Sequence, residues 1–213
     1  EECHRMLREA KQYFADKNPN TTVPWDLLIL TALDSGIRRG ELLNLCWGDI
    51  DFDDYAIDIT AKDNTDETWE WLIKDTDERT VPLSQITTQL LIDLQSKRPV
   101  GYPYVFVPIE RYDYIQKRRK NGKWSYSDSR LQVINNFYRQ FGTIKKRAGI
   151  KKKGTFHDLR RTALSNWFHQ GCSEYDVMTL AGHSSFQTTH EFYLAIKKDY
   201  LDRARQASNL GLG

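Results

Sequence analysis

A short block of strand-like sequence interrupts a chain that is otherwise patterned for helices. Hydrophobic and polar residues alternate over residues 55–59 and 69–73, with a polar turn at 63–66 between them. Residues 79–83 follow as a third strand, which Pro82 keeps short or at a sheet edge because proline has no backbone donor. Alternation with a period of two is typical of strands that bury one face. The block predicts a small antiparallel sheet inserted among helices, and thus a mainly α fold of the α+β class.

The segments on either side of the block show the three- and four-residue spacing of amphipathic helices. Gly36 and Gly182 are placed to end helices, since glycine readily adopts the left-handed conformation found there. Arg38 follows at the junction between two helices, where a side chain can be directed at a ligand. A long polar loop is expected from residue 108 to about 128. The predicted helices cover about 2–17, 24–35, 42–47, 84–97, 129–148, 156–170, 173–181, 185–195 and, as a tail, 198–207.

A chain of 213 residues is long enough to bury a full core, in one domain or two small ones. Hydrophobic residues at 39% and charged residues at 28% are ordinary for a soluble globular protein. No apolar run approaches the ~18 residues of a membrane span, so no membrane partner is expected. Cys3, Cys46 and Cys172 are widely spaced and include no Cys-x-x-Cys pair. They argue against a zinc site or a disulfide framework and indicate a cytoplasmic protein.

Basic charge is unevenly distributed, although the net charge is only +2. Acidic residues are concentrated between residues 49 and 78, so a two-sided charge distribution is expected. The net charge alone does not indicate a nucleic-acid partner, and a solvated surface is the alternative explanation for basic clusters. The two clusters are Lys117, Arg118, Arg119, Lys120 and Lys123, and Lys145, Lys146, Arg147, Lys151, Lys152 and Lys153.

A phenol, two guanidiniums and two imidazoles form a set that suits phosphodiester chemistry. They belong to Tyr193, Arg38, Arg160, His157 and His183. The guanidinium fork matches two oxygens of a phosphate, and its positive charge stabilises the negative charge that grows in a pentacoordinate transition state. A tyrosine hydroxyl can act as the nucleophile that forms a covalent intermediate. The set therefore indicates a site that holds a phosphodiester while a tyrosine attacks it.

Two of these residues lie at the predicted start of a helix. Thr155 and Asp158 fit a capping box at this position. His157 and Arg160 then share a face of the first turn, where the helix dipole favours anions. His183 falls in a predicted connection between helices, from which side chains often reach ligands. Each residue taken alone also has an ordinary explanation in capping or packing.

The order and spacing of these motifs are more specific than any one of them. Arg38 lies in a Gly-Ile-Arg-x-x-Glu-Leu segment, and Lys74 stands five residues before Arg-Thr-Val-Pro-Leu. His157 begins His-x-x-Arg, and a Gly-His pair ending at His183 precedes Tyr193 by ten residues. In this order the motifs resemble the tyrosine recombinase (phage integrase) family. The resemblance implies the catalytic-domain fold of that family and a site-specific recombinase or integrase that cleaves and rejoins DNA.

The resemblance also implies roles for individual residues. Arg38 and Arg160 clamp the scissile phosphate, and Glu41 supports the first of these arginines. Tyr193 attacks, leaving a 3′-phosphotyrosyl bond and a free 5′ hydroxyl. A 5′ hydroxyl from a second duplex reverses the step, so strands are exchanged without ATP. No metal or other cofactor is expected, because the arginines supply the charge that two-metal nucleases take from ions.

By the same resemblance Lys74 is the hairpin lysine that protonates the leaving 5′ oxygen. His157 and His183 form a pair that handles protons or donates hydrogen bonds. Asp75 departs from the family pattern, in which threonine or glycine is common after the lysine. Lys62 lies in the same predicted hairpin and is the alternative for the acid.

The implied partners are double-stranded DNA and other protomers of the same chain, as a tetramer on paired sites with the C-terminal tail docked in trans. Family members usually carry a separate helical DNA-clamping domain on the N-terminal side. Nothing in residues 1–213 supplies one and the first residue is Glu1, so we expect the catalytic domain alone, with its core at about 2–196. Candidate DNA contacts in the basic clusters are Arg119, Lys146, Lys151 and Lys153.

Three alternative functions stay open at this point. The nearest is a type IB topoisomerase-like enzyme, which nicks and closes DNA by the same chemistry without pairing two sites. The second is a non-catalytic DNA-binding module with a decayed site, although all the matching positions retain usable chemistry. The third is a metal hydrolase built on His157, His183 and His190, which lacks acidic or thiol ligands at suitable spacing.

Overall fold

The computed structural model describes residues 1–15, 17–73, 78–151, 153–196 and 205. It is mainly helical with one small antiparallel sheet, which confirms the fold class predicted from the sequence. The strands are β1 (Ile50–Asp51), β2 (Ala56–Ile59) and β3 (Arg79–Pro82), and the 3₁₀ turn Trp47–Asp49 precedes β1. The helices are α1 (Glu2–Phe14), α2 (Trp25–Ser35), α3 (Arg39–Leu43), α4 (Gln85–Gln95), α5 (Ile109–Lys120), α6 (Tyr126–Leu131), α7 (Phe137–Arg147), α8 (His157–His169), α9 (Glu174–Ala181) and α10, over residues 186–196.

The chain divides into two compact units, residues 1–163 and residues 164–213. In the first unit α2 is apolar on most of its surface and is therefore buried, as its packing against α1 and α4 requires. Its first residue, Trp25, is fully buried with its ring centroid 4.9 Å from that of Phe137. The Trp25 indole donates to the side-chain oxygen of Gln140 at 2.9 Å. This contact joins α2 to α7 in the core of the unit.

The sheet has the strand order β1-β2-β3, with Ile57 opposite Ile50 on one side and Val81 on the other. Ile57 and Val81 are fully buried, whereas Asp58 faces solvent, which is the alternation that the sequence predicts. β3 is an edge strand, as expected from Pro82.

The predicted strand over residues 69–73 is wrong. Burial does alternate there, but the segment makes only an isolated bridge, between Lys62 and Trp71, and β2 pairs with β3 instead. Its side chains are used for packing: the Trp69 ring lies 4.0 Å from that of Tyr104 between centroids. The Trp69 indole also donates to Asn44 Oδ1 at 2.7 Å. Alternation of hydrophobic and polar residues shows that one face of a segment is buried. It does not show which strand, if any, the segment pairs with.

The predicted polar loop from 108 to 128 is also wrong, because most of it forms α5. The helix buries Ile115 and little else, so the sequence carries no apolar stripe to reveal it. Four basic residues, 117–120, form its last turn, where positive charge is favourable against the helix dipole.

The single helix predicted over 129–148 is two helices, α6 and α7. Asn136, which precedes α7, has φ of +55°, a left-handed conformation that asparagine tolerates better than most residues. The connection buries Val133 and Ile134, whose apolar character continues the pattern of the helices on either side. Because apolar residues continue through the connection, the sequence pattern predicted one helix where there are two.

The two helix ends at glycine were predicted correctly. Gly36 ends α2 with φ of +61°, and Gly182 ends α9 with φ of +62°. Ser84 caps α4 by accepting the backbone N–H of Thr87 at 3.2 Å. Ser173 caps α9 in the same way through the N–H of Asp176, at 3.1 Å.

The second unit contains a small apolar core in which residues of α8, α9 and α10 meet. Leu164, Phe168, Val177 and Ala181 are its buried members. Lys74, Asp75 and Lys152 lie outside the described residues, as does the predicted tail helix apart from Arg205. Among the helices of the described ranges, none has the length and apolar character needed to cross a membrane.

Candidate active site

The turn between α2 and α3 presents Arg38 next to a buried carboxylate. Arg38 is in an extended conformation immediately before α3, so its backbone N–H points at the side chain of Glu41. Glu41 Oε2 accepts this N–H at 2.6 Å, and Oε1 lies 3.2 Å from Nη1 of Arg38. The Glu41 side chain is only 2% exposed, whereas that of Arg38 is 21% exposed. The carboxylate therefore holds both the backbone N–H and the guanidinium of Arg38, while the side chain of this arginine stays partly exposed to solvent.

A second arginine, Arg79 at the start of β3, shares the same carboxylate. Its Nη2 lies 2.7 Å from Oε2 of Glu41, and its side chain is 4% exposed. Burial alone would raise the pKa of Glu41, but the hydrogen bond and charge of Arg79, with a smaller part from Arg38, lower it below its usual value. The sequence reasoning gave Arg79 no role. Its period-two relation to the buried Val81 places it on the inward face of the strand, which could have identified it.

Arg160 lies on the first turns of α8, far from Arg38 in the sequence. Its side chain also contacts the turn between α2 and α3. Its Nη1 donates to the backbone carbonyl of Gly36 at 2.8 Å, and the residue is 3% exposed. Burial, followed by the charge of Arg38, lowers the pKa of Arg160 to about 10, so the guanidinium stays protonated near neutral pH. The predicted pair Arg38 and Arg160 is therefore brought together within the first unit.

His157 begins α8 and keeps its ring accessible to solvent. Partial loss of hydration lowers its pKa, and the positive charges of Arg160 and then Arg161 lower it further, against an opposing effect of Asp158. The imidazole is therefore mainly neutral at pH 7. Asp158 accepts the backbone N–H of Thr155 at 2.6 Å, the carboxylate half of the predicted capping box.

These residues form a site with an excess of positive charge. Arg38, Arg79 and Arg160 surround one carboxylate, that of Glu41, and all three charges interact with it. Held guanidiniums of this kind stabilise an anion without the cost of reorganising when it arrives. A phosphate diester is one of the anions whose oxygens match the guanidinium fork.

The second unit holds the other two predicted residues, His183 and Tyr193. Gly182 ends α9, and the His183 N–H donates to the carbonyl of Met178 at 3.1 Å. Nδ1 of His183 lies 2.8 Å from the hydroxyl of Thr189, a fully buried residue of α10 that the sequence reasoning missed. This bond fixes the orientation of the imidazole ring.

Tyr193 lies on the same helix as Thr189 and is partly buried. Its ring centroid is 5.3 Å from that of Phe168, at the edge of the small core of the second unit. The ring is therefore anchored by packing, which is the ordinary role expected for a tyrosine, and that anchoring also restricts where its hydroxyl can point.

Lys62, the alternative for the general acid, is committed elsewhere. Its Nζ lies 2.9 Å from Asp49 Oδ1 and donates to the carbonyl and hydroxyl of Thr60 at 2.7 and 2.9 Å. The side chain is 9% exposed. A lysine held in this way is unsuited to delivering a proton to a substrate.

The predicted DNA contacts fall into two kinds. Arg119 donates to the carbonyls of Thr65 and Thr68 and to Gln116, so it holds the segment between β2 and β3 against α5. That structural role was not foreseen. Lys146 and Lys151, by contrast, are exposed, as is Lys153.

The histidines and acidic residues that the structure describes do not gather into a metal site. Across the described ranges, no group of three or more His, Cys, Asp or Glu side chains could hold a metal ion. His190, a member of the metal hydrolase alternative, instead makes a 2.7 Å contact with Glu174 through Nδ1.

Comparison with known proteins gives one consistent family. The family model described as "Phage integrase family" matches residues 1–199. A curated relative, "Tyrosine recombinase XerA" from Pyrococcus furiosus, is 25% identical over 184 residues, covering 86% of this chain and 54% of that protein. The chain thus spans about half the length of the curated relative.

Solved structures show the same fold at lower identity. A XerH site-specific recombinase bound to palindromic difH substrate, in a post-cleavage complex, matches with a TM-score of 0.63 at 20% identity, over 96% of this chain and 50% of that one. The catalytic domain of bacteriophage HP1 integrase matches with a TM-score of 0.57 at 22% identity, over 96% of this chain and 90% of that one.

Proposed function

The chain belongs to the phage integrase family, and we propose that it cleaves and rejoins DNA strands as a site-specific recombinase, through a 3′-phosphotyrosyl intermediate. The observation that carries the proposal is the convergence of Arg38 and Arg160 on one turn. Arg160 donates to Gly36 while Arg38 is fixed by Glu41, so two guanidiniums are held in place before any substrate binds. Such preorganised charge is what a phosphoryl-transfer transition state requires.

In the proposed reaction Arg38 and Arg160 bind the non-bridging oxygens of the scissile phosphate. The hydroxyl of Tyr193 attacks phosphorus, a 3′-phosphotyrosyl bond forms, and the bond to the 5′ oxygen breaks. Because His157 is mainly neutral at pH 7, it can accept a proton during this step. His183, oriented by Thr189, hydrogen-bonds to the phosphoryl group.

The 5′ oxygen must gain a proton as it leaves, and we assign this step to Lys74. In the sequence this lysine lies between Leu72, which lines a groove with Arg38, and Arg79, which bonds to Glu41. The buried ion pair of Lys62 with Asp49 supports the same assignment by removing the alternative.

No metal and no ATP enter this scheme. Arg38 and Arg160 supply the positive charge that two-metal enzymes take from ions. The phosphotyrosyl bond conserves the energy of the broken phosphodiester, so a 5′ hydroxyl from a second duplex can reverse the step without a nucleotide cofactor.

The proposed partners are double-stranded DNA and further copies of the chain. The XerH neighbour was solved with DNA in a post-cleavage state, which supports DNA as the substrate class here. A tetramer on paired sites, with the tail of one protomer docked on another, is the assembly that we propose for strand exchange in the cytoplasm.

The test is covalent capture in excess chelator. The chain is incubated with a nicked duplex from which the short cleaved strand diffuses away, so that the adduct accumulates. We expect a denaturation-resistant protein–DNA adduct that forms equally well with and without EDTA. An adduct that disappears with EDTA and returns with magnesium would contradict the metal-free scheme.

A further inference from the structure

A groove of about 390 Å³ lies beside Arg38 in the first unit. Its volume is in the range of sites that hold small ligands. Its lining includes three cationic residues, Arg38, Arg39 and Arg130, and three largely apolar ones, Trp71, Leu72 and Tyr126. Glu41 is the acidic residue in its lining, and that carboxylate already bonds to Arg38 and Arg79.

Two of the groove's arginines are held by aromatic rings and not by acids. The guanidinium of Arg39 lies 4.9 Å from the ring of Tyr138 and 5.5 Å from that of Phe137. That of Arg130 lies 5.8 Å from the ring of Tyr126. Among the described residues, neither arginine forms a salt bridge with a carboxylate.

Like charges around one groove repel one another unless an anion enters it. Aromatic contacts orient a guanidinium but leave its charge uncompensated, because a ring attracts the cation weakly and supplies no counter-charge. The groove is therefore built for an anion, and its continuity with Arg38 indicates which one. Along a DNA strand, the next phosphate follows the scissile one after a single sugar.

We propose that this groove binds the nucleotide next to the scissile phosphate, with Arg130 and Arg39 on the neighbouring phosphodiester and Tyr126 and Leu72 against the sugar. The proposal rests on the proposed function, which places the scissile phosphate at Arg38. It adds a second phosphate subsite, which fixes the register of the strand at the cleavage point.

The first test is the salt dependence of binding to a random-sequence duplex of about 30 base pairs, using Tyr193→Phe protein so that no adduct forms. Each phosphate contact contributes roughly one unit to the slope of log Kd against log salt. Arg130→Gln is expected to lower the slope by about one unit. The charge-matched control Arg8→Gln, on an exposed residue of α1 outside the groove, is expected to leave it unchanged. Equal changes in the two variants would overturn the proposal.

The second test locates the contacted phosphate. The cleavage site is first identified by covalent capture. On a duplex that carries this site, single phosphates are then replaced in turn by uncharged methylphosphonates. One replacement next to the scissile phosphate should slow adduct formation by the wild type by roughly tenfold. Arg130→Gln should slow it by a similar factor on the unmodified duplex. The two changes combined should slow it no more than either change alone. Additive losses at every position would overturn the subsite.

These readouts separate the subsite from the reaction. Wild-type protein that forms no adduct would contradict the proposed function, while the salt experiment would still report on the groove. Arg130 is exposed at the end of α6, so its substitution leaves the core intact. Compared with Arg130→Gln, Arg130→Lys should restore most of the slope of log Kd against log salt, because its charge is kept. It should restore little of the two-point contact with the phosphate, because lysine lacks the guanidinium fork.

Discussion

The carboxylate of Glu41 lies 2.7 Å from the guanidinium of Arg79, although the two residues are 38 positions apart in the sequence. The same carboxylate fixes Arg38, so one buried anion ties the edge strand β3 to the turn that presents the proposed phosphate clamp. The geometry of the proposed phosphate clamp and the stability of the fold therefore depend on the same ion pair.

Removing Arg79 should destabilise the protein strongly. Arg79→Met leaves Glu41 buried without its nearest cation, and breaking a buried pair in this way costs about 3–5 kcal/mol. Urea unfolding at pH 7 measures the change. The double variant Arg79→Met with Glu41→Gln should recover part of the loss, because the uncompensated charge is gone. Equal stability of Arg79→Met and wild type would contradict the role given to this pair.

The same pair predicts an acid sensitivity. Because the pKa of Glu41 is lowered in the folded state, its contribution is present above its ordinary pKa of 4.5 and is lost as the pH falls below it. Wild type should therefore lose more stability between pH 6 and pH 3 than Glu41→Gln does. Parallel losses in the two proteins would show that the carboxylate is not responsible.

The pH profile of adduct formation tests the state of His157. Its lowered pKa keeps the ring neutral, so the rate should fall only at pH values below the ordinary histidine pKa of 6.5. Arg161→Gln removes one of the positive charges that lower this pKa and should move the acid limb to higher pH. Arg161 is exposed and holds no part of the proposed clamp, so a limb that stays in place would contradict this electrostatic account.

A sulfur-substituted substrate tests Lys74 against Lys62. A general acid matters only when the leaving oxygen must gain a proton, and a bridging 5′ sulfur leaves without one. Lys74→Ala should be slow on ordinary DNA and largely rescued on the 5′-phosphorothiolate, whereas Arg160→Ala should be slow on both. Lys62→Ala should show no rescue, since its ion pair with Asp49 is structural. Rescue of Lys62→Ala alone would transfer the acid to the other lysine.

The hydroxyl of Thr189 should matter to catalysis through His183. Thr189→Val keeps the shape of a fully buried side chain and removes the 2.8 Å bond to Nδ1. Loss of a buried hydrogen bond of about 1.4 kcal/mol corresponds to a roughly tenfold slower cleavage. Thr189→Ser retains the hydroxyl and should stay near the wild-type rate. Equal rates for the valine and serine variants would show that the bond does not orient the histidine.

Features that depend on a residue and its neighbours in the sequence were predicted well. Features that depend on contacts with distant residues were not. Gly36 and Gly182 end helices because the backbone conformation there is a property of glycine itself. The segment 69–73 alternates as a strand does, yet it packs on Tyr104, a residue that the local pattern cannot reveal. Helix α5 was missed because it is largely solvated and carries no apolar stripe.

The candidate site shows the same division. The relation of Arg38 to Glu41, three residues apart, was expected from the family resemblance. Arg79 and Thr189 act through contacts with Glu41 and His183, and each looks like an ordinary strand or helix residue in the sequence. The alternation of β3 can show that Arg79 faces inward, but the partners of Arg79 and Thr189 become visible only in the folded structure.

The most direct test of the account is to identify the amino acid that carries the DNA. Covalent adduct formed on a nicked duplex is digested with protease and nuclease, and the nucleotide-bearing peptide is sequenced by mass spectrometry. We expect a single phosphotyrosyl peptide containing Tyr193, and no adduct from Tyr193→Phe, which should bind DNA as tightly as the wild type. An adduct that persists in Tyr193→Phe, or that maps to another residue such as Tyr200, would contradict it.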